Sequence, residues 1–402
     1  MNPRLDALHP YPFERLRALL SGVTPPAGLA PIRLSIGEPQ HPTPAFIGET
    51  LTRHLDGLST YPTTAGMDTL REAIARWCAR RFGLTSIDPG SHVLPVAGTR
   101  EALFAVAQAV IDGSRPSPLV ACPNPFYQIY EGAALLAGAT PVLLNQTEAN
   151  GFGLELDTIA DADWARVQLL YVCSPGNPTG RVLSLDDWRR VFEYADRHDV
   201  VIASDECYTD IYPDEAQPPL GGLQAAQQLG RHDYRNLVVF VSLSKRSNAP
   251  GLRSGAVAGD ARLIECFLRY RTYHGCALGP AVQHASIAAW NDEAHVIDNR
   301  AKYRSKFADV VPIVSAAMPV CAPDAGFYLW APVPGGDDEA FVRTLYGRAG
   351  VTVLPGSYLG REAHGCNPGR GYVRVALAPE YAECLEGARR MAACAADYRP
   401  LA

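Results

Sequence analysis

The sequence has no apolar run long enough to span a bilayer, which takes about 20 consecutive apolar residues. Its first stretch, MNPRLDALHPYPFERL, lacks the hydrophobic segment of a secretory signal peptide. Basic residues are not in excess either: the formal net charge is -6 at pH 7, whereas nucleic-acid binders usually present a basic face. These absences argue against membrane and nucleic-acid partners and predict a cytoplasmic enzyme for small molecules.

Paired cysteines are also absent. The ten cysteines are scattered, and none has the C-x-x-C spacing of a zinc site or a redox motif. We therefore expect reduced thiols that fill core space, and no metal site. The nucleotide motifs G-x-G-x-x-G and G-x-x-x-x-G-K-[ST] and the G-x-S-x-G nucleophile motif are missing as well, which disfavours those enzyme classes.

Short apolar runs alternate with helical patterns along most of the chain, which is typical of an α/β architecture. The runs are nearly continuous, as in strands of a mostly parallel sheet that is covered by helices on both faces. Hydrophobic residues make up 47% and charged residues 19% of the chain, a composition typical of a soluble globular protein. Strands are predicted at residues 118–122, 140–144, 167–173, 199–204, 237–242 and 254–259.

Two helix starts can be read from local side chains. In SLDDWRRVFEYADRHD, Ser184 is expected to be the N-cap, and Asp187 three residues later completes a capping box. Apolar residues then recur at i, i+3, i+4 and i+7, which predicts one buried helical face. A more buried helix, GTREALFAVAQAVIDG, is predicted to begin at Thr99.

The pattern changes after residue 290. WNDEAHVIDNRAKYRSKFADVV predicts a long polar helix, and FYLWAPV and YVRVALA predict short strands. We expect a large domain over residues 31–290 and a smaller α+β domain over residues 291–402. Residues 1–30, rich in proline and leucine, are interpreted as an arm that packs with the small domain or on a partner subunit.

Polar side chains follow three of the predicted strands where each strand ends. They are Asn177 in YVCSPGNPTG, Asp205 and Tyr208 in IASDECY, and Ser242, Ser244 and Lys245 in VSLSK, with Arg253 eight residues further on. Each alone has an ordinary explanation, such as a turn for Asn177 or a solvated charge for Lys245. Because ligands of open α/β sheets bind outside the carboxyl ends of strands, the combination predicts one shared pocket.

These motifs, N-P-x-G, D-x-x-Y and S-x-S-K with a following arginine, resemble those of the class I and II aminotransferases, a group of fold-type I pyridoxal-phosphate enzymes. The resemblance extends from LSIGEPQHPTPAFI to YVRVALAP, nearly the whole chain. A finer resemblance links the chain to the members that act on N-succinyl-LL-2,6-diaminopimelate in lysine biosynthesis. It is carried by the stretches SIGEPQHPTPAFI, SLSKRSNAPGLRSGAVAGD and YHGCALGPAVQHASIAAWNDEAHV.

The resemblance implies pyridoxal 5'-phosphate as the cofactor and gives each strand-end residue a role. Lys245 is expected to be the catalytic residue, because an amine condenses with an aldehyde and can later move a proton. Asp205 is expected to keep the cofactor's ring nitrogen protonated, since a nearby carboxylate favours the charged form. Asn177 and Tyr208 are expected to donate hydrogen bonds to the phenolate oxygen of the cofactor.

The cofactor phosphate needs several donors and a cation. Ser242 and Ser244 offer hydroxyls, and Arg253 offers a planar guanidinium. The start of the helix in AGTREAL would turn further donors toward an anion, the backbone N–H groups of Gly98, Thr99 and Arg100.

The resemblance also assigns two tyrosines. It places Tyr127 of CPNPFYQIY over the cofactor ring, with Phe126 as the alternative. It places Tyr61 of STYPTTAGMDTLREAI at the phosphate of a partner subunit, so the expected assembly is a homodimer.

For the substrate, Arg374 in YVRVALA matches the family arginine that binds the α-carboxylate with two hydrogen bonds. A charge in an otherwise apolar strand needs a partner, which supports that role. Gly37 would bring its backbone against the same carboxylate, and Asn177 could contact it as well. The distal carboxylates are left without a chosen partner, the candidates being Arg33, His41, His274 and Arg100.

The expected reaction is a ping-pong transfer between glutamate and N-succinyl-2-amino-6-oxopimelate. The cofactor motifs do not discriminate it from other aminotransferases, for acetylornithine, methionine or aromatic acids, or from a C–S β-lyase. A transcription regulator on this fold is disfavoured, because the arm is short and the chain acidic. A catalytically inactive scaffold is disfavoured too, because the lysine, the aspartate and both arginines are all present.

Overall fold

The computed structural model describes residues 1–401 and contains a central seven-stranded sheet, a three-stranded sheet and a two-stranded sheet. The strands in chain order are β1 (Ile32–Arg33), β2 (Val93–Val96), β3 (Leu119–Asn124), β4 (Thr140–Asn145), β5 (Val167–Cys173), β6 (Val201–Asp205), β7 (Leu237–Ser242), β8 (Gly255–Gly259), β9 (Tyr328–Pro332), β10 (Val351–Thr352), β11 (Leu354–Pro355) and β12 (Tyr372–Ala376).

The helices connect and cover these sheets. In chain order they are α1 (Pro12–Leu19), α2 (Ala45–Arg53), α3 (Asp68–Phe82), α4 (Thr99–Val110), α5 (Ile129–Ala137), α6 (Asp161–Trp164), α7 (Leu185–His198), α8 (Gly222–Gln228), α9 (Leu243–Arg246), α10 (Ala261–His274), α11 (Pro280–Asn291), α12 (Ala294–Ser315), α13 (Asp338–Ala349) and α14 (Tyr381–Ala396). Short 3₁₀ helices span Pro3–Ala7, Leu55–Ser59, Glu148–Asn150, Leu156–Thr158, Pro250–Leu252, Pro334–Gly336 and Gly356–Tyr358.

The central sheet has the order β2-β8-β7-β6-β5-β3-β4, and only β8 runs against its neighbours. This confirms the predicted α/β fold with a mostly parallel sheet. The six predicted strands correspond to β3 through β8. The sequence analysis missed β2, whose four residues VLPV include Pro95. A proline cannot donate to a strand ladder, and β2 lies at the edge of the sheet, where this is tolerated.

Both faces of the central sheet are buried. Along β7, Val239 and Val241 pack into one apolar core, while Val238 and Phe240 pack into a second core on the other face. Side chains alternate between the two faces of a strand, so a strand covered on both sides is apolar at every position. This explains the continuous apolar runs in the sequence.

The predicted helix signals are present. Ser184 is the N-cap of α7 and accepts a hydrogen bond from the Asp187 backbone, while the Asp187 side chain completes the capping box. Helix α4 begins at Thr99, and the long polar helix predicted after residue 290 is α12. Within residues 1–401, none of the helices combines the length and the apolar character needed to cross a bilayer.

A separate apolar core lies under the three-stranded sheet, whose order is β11-β12-β9. Leu16 of α1 belongs to this core, and so do Ile32 and Leu34, because β1 pairs with β10. The N-terminal segment therefore packs with the C-terminal part of the chain. The domain boundaries at residues 30 and 290 stay predictions.

All ten cysteines are free, but not all of them fill core space. The buried ones are Cys78, Cys122, Cys384 and Cys394, whereas Cys266, Cys321 and Cys366 are exposed. The prediction of core-filling thiols is therefore correct for only part of the set.

Candidate active site

A cavity of about 530 Å³ lies at the carboxyl ends of β5, β6 and β7. It is lined by side chains from the central sheet and from the three-stranded sheet, with α1 at its rim. The predicted site residues that line it are Gly37, Thr99, Arg100, Tyr127, Asn177, Asp205, Tyr208, Ser242, Ser244, Lys245, Arg253 and Arg374. Gly98 lies directly beside this set, and Tyr61 lies outside it.

Lys245 is the only predicted nucleophile in this group, and it lies in α9, directly after β7. Its Nζ donates a hydrogen bond to the Gly37 carbonyl at 2.5 Å and lies 5.5 Å from the centre of the Phe327 ring. Burial lowers the pKa of the Lys245 ammonium to about 8, and the positive charge of Arg374 acts in the same direction. About a tenth of Lys245 is therefore a free amine at pH 7, far more than for an ordinary lysine, and the free amine is the reactive form.

Asp205 is the last residue of β6 and is only 5% exposed. Its carboxylate accepts hydrogen bonds from the Tyr130 hydroxyl at 2.7 Å and from the Cys207 backbone at 3.2 Å. Burial raises the pKa of Asp205 despite these two bonds, because a buried carboxylate has lost its hydration. A cationic ligand group beside Asp205 would counter that cost, as the protonated ring nitrogen of the expected cofactor would.

The predicted phosphate donors lie together at one end of the cavity. Ser242 accepts a hydrogen bond from the Ser244 backbone at 3.1 Å, and the Arg253 guanidinium donates to the Pro250 carbonyl at 2.8 Å. Gly98 has a φ of 91°, and a Cβ there would lie 2.0 Å from Arg253 Nη2. Glycine at this position is therefore required for the close approach of Arg253 to the start of α4.

Of the two aromatic candidates for the cofactor face, Tyr127 lines the cavity and Phe126 does not. Phe126 is 1% exposed and packs inside the core that contains α4 and α5. The Tyr127 hydroxyl accepts a hydrogen bond from Arg100 Nε at 2.6 Å, so the ring is fixed by a side chain from α4. The geometry favours Tyr127 over Phe126.

Arg374 projects from β12 into the same cavity. Its Nη1 donates to Asn177 Oδ1 at 2.9 Å and its Nη2 donates to the Ser35 carbonyl at 3.0 Å, while its buried Nε makes no hydrogen bond within the described chain. The guanidinium carbon lies 4.4 Å from the centre of the Tyr328 ring. Buried guanidinium groups bind planar carboxylates well, so this arrangement suits an α-carboxylate.

Gly37 and Tyr208 both contact Tyr328. A Cβ at Gly37 would lie 1.8 Å from the Tyr328 hydroxyl, so this loop passes the ring only because residue 37 is glycine. The Tyr208 and Tyr328 hydroxyls are 2.8 Å apart and share a hydrogen bond. Tyr328 therefore holds the Gly37 loop and Tyr208 at the same point of the cavity.

Several lining residues were not found from the sequence. They are Tyr11, Glu38, Gln128, Cys207 and Tyr328, together with Tyr130, which contacts Asp205 from behind. Cys207 had a usable signal, because it lies between Asp205 and Tyr208 in IASDECY, in the segment that follows a predicted strand. Tyr11 had none, because it comes from the N-terminal arm and reaches the site only through the tertiary fold.

Tyr61 and three of the four candidates for the distal carboxylates lie away from the cavity. Tyr61 is 99% exposed, so it contributes nothing to the cavity of its own chain. His41 is buried and hydrogen-bonded to Asn299 at 2.9 Å, which is a structural role rather than contact with a distal carboxylate. Of the four candidates for that contact, only Arg100 lines the cavity.

The donor set fits pyridoxal 5'-phosphate. A half-buried amine at Lys245, a buried carboxylate at Asp205 and a hydroxyl and guanidinium group at Ser242 and Arg253 match the aldehyde, the ring nitrogen and the phosphate of that molecule. The close passage of Gly98 by Arg253 leaves the phosphate end of the cavity free of a side chain at residue 98.

Comparison with known proteins identifies relatives along the full length of the chain. The sequence profile of the family Aminotransferase class I and II matches residues 30–390. The LL-diaminopimelate aminotransferase of Desulforudis audaxviator is 32% identical over 397 residues, which cover 97% of each protein.

Solved structures show the same fold. An aminotransferase from Neisseria meningitidis superimposes with a TM-score of 0.95 at 50% identity, covering 98% of this chain and 100% of that one. A probable N-succinyldiaminopimelate aminotransferase from Thermus thermophilus superimposes with a TM-score of 0.84 at 25% identity, covering 95% and 99%.

The Tyr130 contact predicts that Tyr130→Phe lowers turnover. A hydrogen bond to a charged group contributes about 1.5 kcal/mol or more, so its loss should reduce kcat roughly tenfold while the protein stays folded. Tyr171→Phe is the matched control, because Tyr171 stacks on Tyr130 at 4.6 Å but donates its hydroxyl to the Leu103 carbonyl. An equal loss of kcat in both variants would contradict a specific role for the Tyr130–Asp205 bond.

The lowered pKa of Lys245 predicts how cofactor attachment depends on pH. Below a pKa of about 8 the residue is mostly an ammonium ion, and the reactive amine increases about tenfold for each pH unit. The rate of pyridoxal phosphate attachment to the apoprotein, followed by absorbance, should therefore rise toward pH 8 and level off above it. Lys245→Ala should show no attachment, and a rate that rises only near pH 10 would contradict the lowered pKa.

Proposed function

The chain belongs to the class I and II aminotransferases, which use pyridoxal 5'-phosphate, and from this premise we propose its substrate pair. It transfers the amino group of N-succinyl-LL-2,6-diaminopimelate to 2-oxoglutarate, giving N-succinyl-2-amino-6-oxopimelate and glutamate. This reaction belongs to the diaminopimelate route of lysine biosynthesis. The names of the Desulforudis and Thermus relatives support a diaminopimelate-type substrate.

One observation carries the assignment to an amino-acid substrate: Arg374 of β12 and Lys245 of α9 line the same cavity. A substrate whose carboxylate pairs with Arg374 presents its amino group and α-carbon toward Lys245. The cavity of about 530 Å³ leaves room for a long side chain beyond that point.

The bound cofactor supplies an electron sink for the substrate's α-carbon. Lys245 Nζ, with a pKa near 8, takes the α-proton and returns it during transfer. Asp205 would pair with the protonated ring nitrogen, a cation that would offset the burial of the carboxylate. Asn177 and Tyr208 would donate hydrogen bonds to the cofactor, and Tyr127 would supply an aromatic contact to its ring.

The remaining donors hold the phosphate. Arg253 contributes the cation, and hydroxyl and backbone donors complete the set, from Gly98, Thr99, Arg100, Ser242 and Ser244. Glycine at Gly37 lets the loop backbone approach the α-carboxylate that Arg374 binds.

The proposal includes a homodimer in which Tyr61 reaches the phosphate in the partner's site. Tyr61 is 99% exposed, and the neighbouring Leu58 and Leu55 are 77% and 48% exposed. A cluster of large apolar side chains in contact with water is typical of a surface that another subunit covers. These exposures support the assembly.

A second candidate substrate is LL-diaminopimelate itself, without the succinyl group. The observation that favours it is Glu38, whose carboxylate lines the cavity. A free distal ammonium group would pair with Glu38, whereas succinylation removes that positive charge. The 32% identical relative from Desulforudis is named for the unacylated substrate.

The test is a set of half-reactions with the cofactor-loaded protein, followed by its visible spectrum. The amino donors are glutamate, N-succinyl-LL-2,6-diaminopimelate, LL-diaminopimelate, N-acetylornithine, methionine and phenylalanine, each added alone. We expect conversion of the cofactor to its amine form with glutamate and the succinylated compound. Faster conversion with LL-diaminopimelate would establish the second candidate, and conversion only with the other donors would overturn both.

Substitution of Arg374 tests the substrate-binding role separately from the cofactor. Arg374→Ala should lower kcat/KM for glutamate roughly 100-fold, because two charge-assisted hydrogen bonds to the α-carboxylate are lost. The visible band of the bound cofactor should be retained. Arg370→Ala, an exposed arginine ahead of the same strand, is the control and should behave like the wild type. Loss of cofactor from Arg374→Ala would mean that Arg374 serves the cofactor instead.

A further inference from the structure

Arg246 immediately follows Lys245, but its side chain points away from the cavity and is 2% exposed. Its Nη1 donates to Asp210 Oδ2 at 2.7 Å, and its Nη2 donates to Glu293 Oε1 at 2.6 Å and to the Asp292 carbonyl at 3.2 Å. The guanidinium is therefore bound on two sides by acidic groups from two other parts of the chain.

Asp210 connects Arg246 to the loop that carries Asp205 and Tyr208. It follows Asp205 and Tyr208 in the same loop after β6 and is 4% exposed. Arg81 of α3 approaches Asp210 at 3.4 Å and also donates to the Thr209 carbonyl at 2.8 Å. The loop that carries the two predicted cofactor contacts is thus fixed to the helical layer behind it.

The third contact involves the junction between α11 and α12. Glu293 precedes α12, the long helix that packs against the C-terminal core. The Arg246 guanidinium carbon also lies 5.4 Å and 5.5 Å from the ring centres of Trp77 and Trp290. Aromatic rings and acidic partners together leave the side chain little freedom to move.

Burial of such a charged group is unfavourable unless every partner is in place, and it often stabilises a fold no better than an apolar side chain would. The ion pairs of Arg246 can instead fix the relative positions of the loops that they join. Strands β6 and β7 are paired neighbours, and the bond between Arg246 and Asp210 joins the two loops that leave them. The separation of those loops sets the distance between the amine of Lys245 and the carboxylate of Asp205.

We propose that Arg246 is a positioning residue for the aminotransferase reaction, holding Lys245 at a fixed place relative to Asp205 and Tyr208 through its bond to Asp210. It does not touch the substrate or the cofactor. The inference rests on the roles proposed above for Lys245 and Asp205.

The test compares three variants of the cofactor-loaded protein. Arg246→Met removes the charge and keeps an apolar stem of similar length. Arg246→Lys keeps the charge but loses the fork that bonds two acids at once. The double variant Arg246→Met/Asp210→Asn removes both members of the pair, while Arg81 loses its acidic partner and keeps its bond to the Thr209 carbonyl.

We expect kcat to fall roughly 10- to 100-fold in Arg246→Met, because a small misplacement of a reacting group costs about that much. KM for the amino donor should change little, since Arg374 is untouched. The pH midpoint of the visible cofactor band, which depends on the surroundings of Lys245, should shift. Arg246→Lys should lose less kcat than Arg246→Met.

The double variant separates positioning from stability. If the pair positions Lys245, kcat stays low in the double variant even where thermal stability recovers. If the pair only stabilises the fold, the double variant regains the wild-type kcat and midpoint, which would overturn the proposal. Should Arg246→Met fail to fold, the double variant and Arg246→Lys give the same comparison, and wild-type kcat in both would overturn it.

Arg231→Met is the matched control. Arg231 forms a two-bond ion pair with Asp196 and lies before β7, at the opposite end of the sheet from the cavity. Its loss should lower stability but leave kcat and the band midpoint unchanged. Failure of the proposed site itself is distinguishable, since Lys245→Ala would then retain the cofactor band and turnover.

Discussion

Lys245, which is half-buried, and Asp205, which is buried, lie at the same edge of the central sheet, and loss of hydration disfavours the charged form of each. It lowers the pKa of Lys245 to about 8 and raises that of Asp205. A free amine is thereby available to react with an aldehyde. The Asp205 carboxylate is available to pair with a cation, which would offset the hydration that the carboxylate loses on burial. Pyridoxal 5'-phosphate carries an aldehyde and a ring nitrogen that can take up a proton, so the chemistry of Lys245 and Asp205 fits this cofactor.

The rest of the architecture keeps these two groups in register. Parallel pairing of β5, β6 and β7 brings their carboxyl ends to one edge, because strands that run in one direction end on one side. The segment from Ser35 to Gly37 then joins the two sheets, since Ser35 accepts a hydrogen bond from Arg374 and Gly37 accepts one from Lys245. Arg374 and Lys245 are thereby held to the same short loop.

Residues of the central sheet and residues from outside it line the cavity together. The residues proposed to hold the cofactor, such as Asp205 and Arg253, come from β6 and from the loop that precedes β8. The same cavity is also lined by Tyr11, Glu38 and Gln128, which come from the arm, a loop and the start of α5.

The strands β3 to β8 and the capping box at Ser184 could be predicted from the sequence, because both depend on residues that are neighbours in the chain. The same holds for the order of the polar residues that follow the strands. Pairing across the sheet then placed the predicted residues together, as expected from parallel strands. Only the tertiary structure placed Tyr127 at the cavity and Phe126 in the core, brought the Tyr130 hydroxyl to Asp205 and brought Tyr11 to the cavity. The positions of these three tyrosines depend on how one element packs against another. That packing is decided by contacts between residues that are distant in sequence.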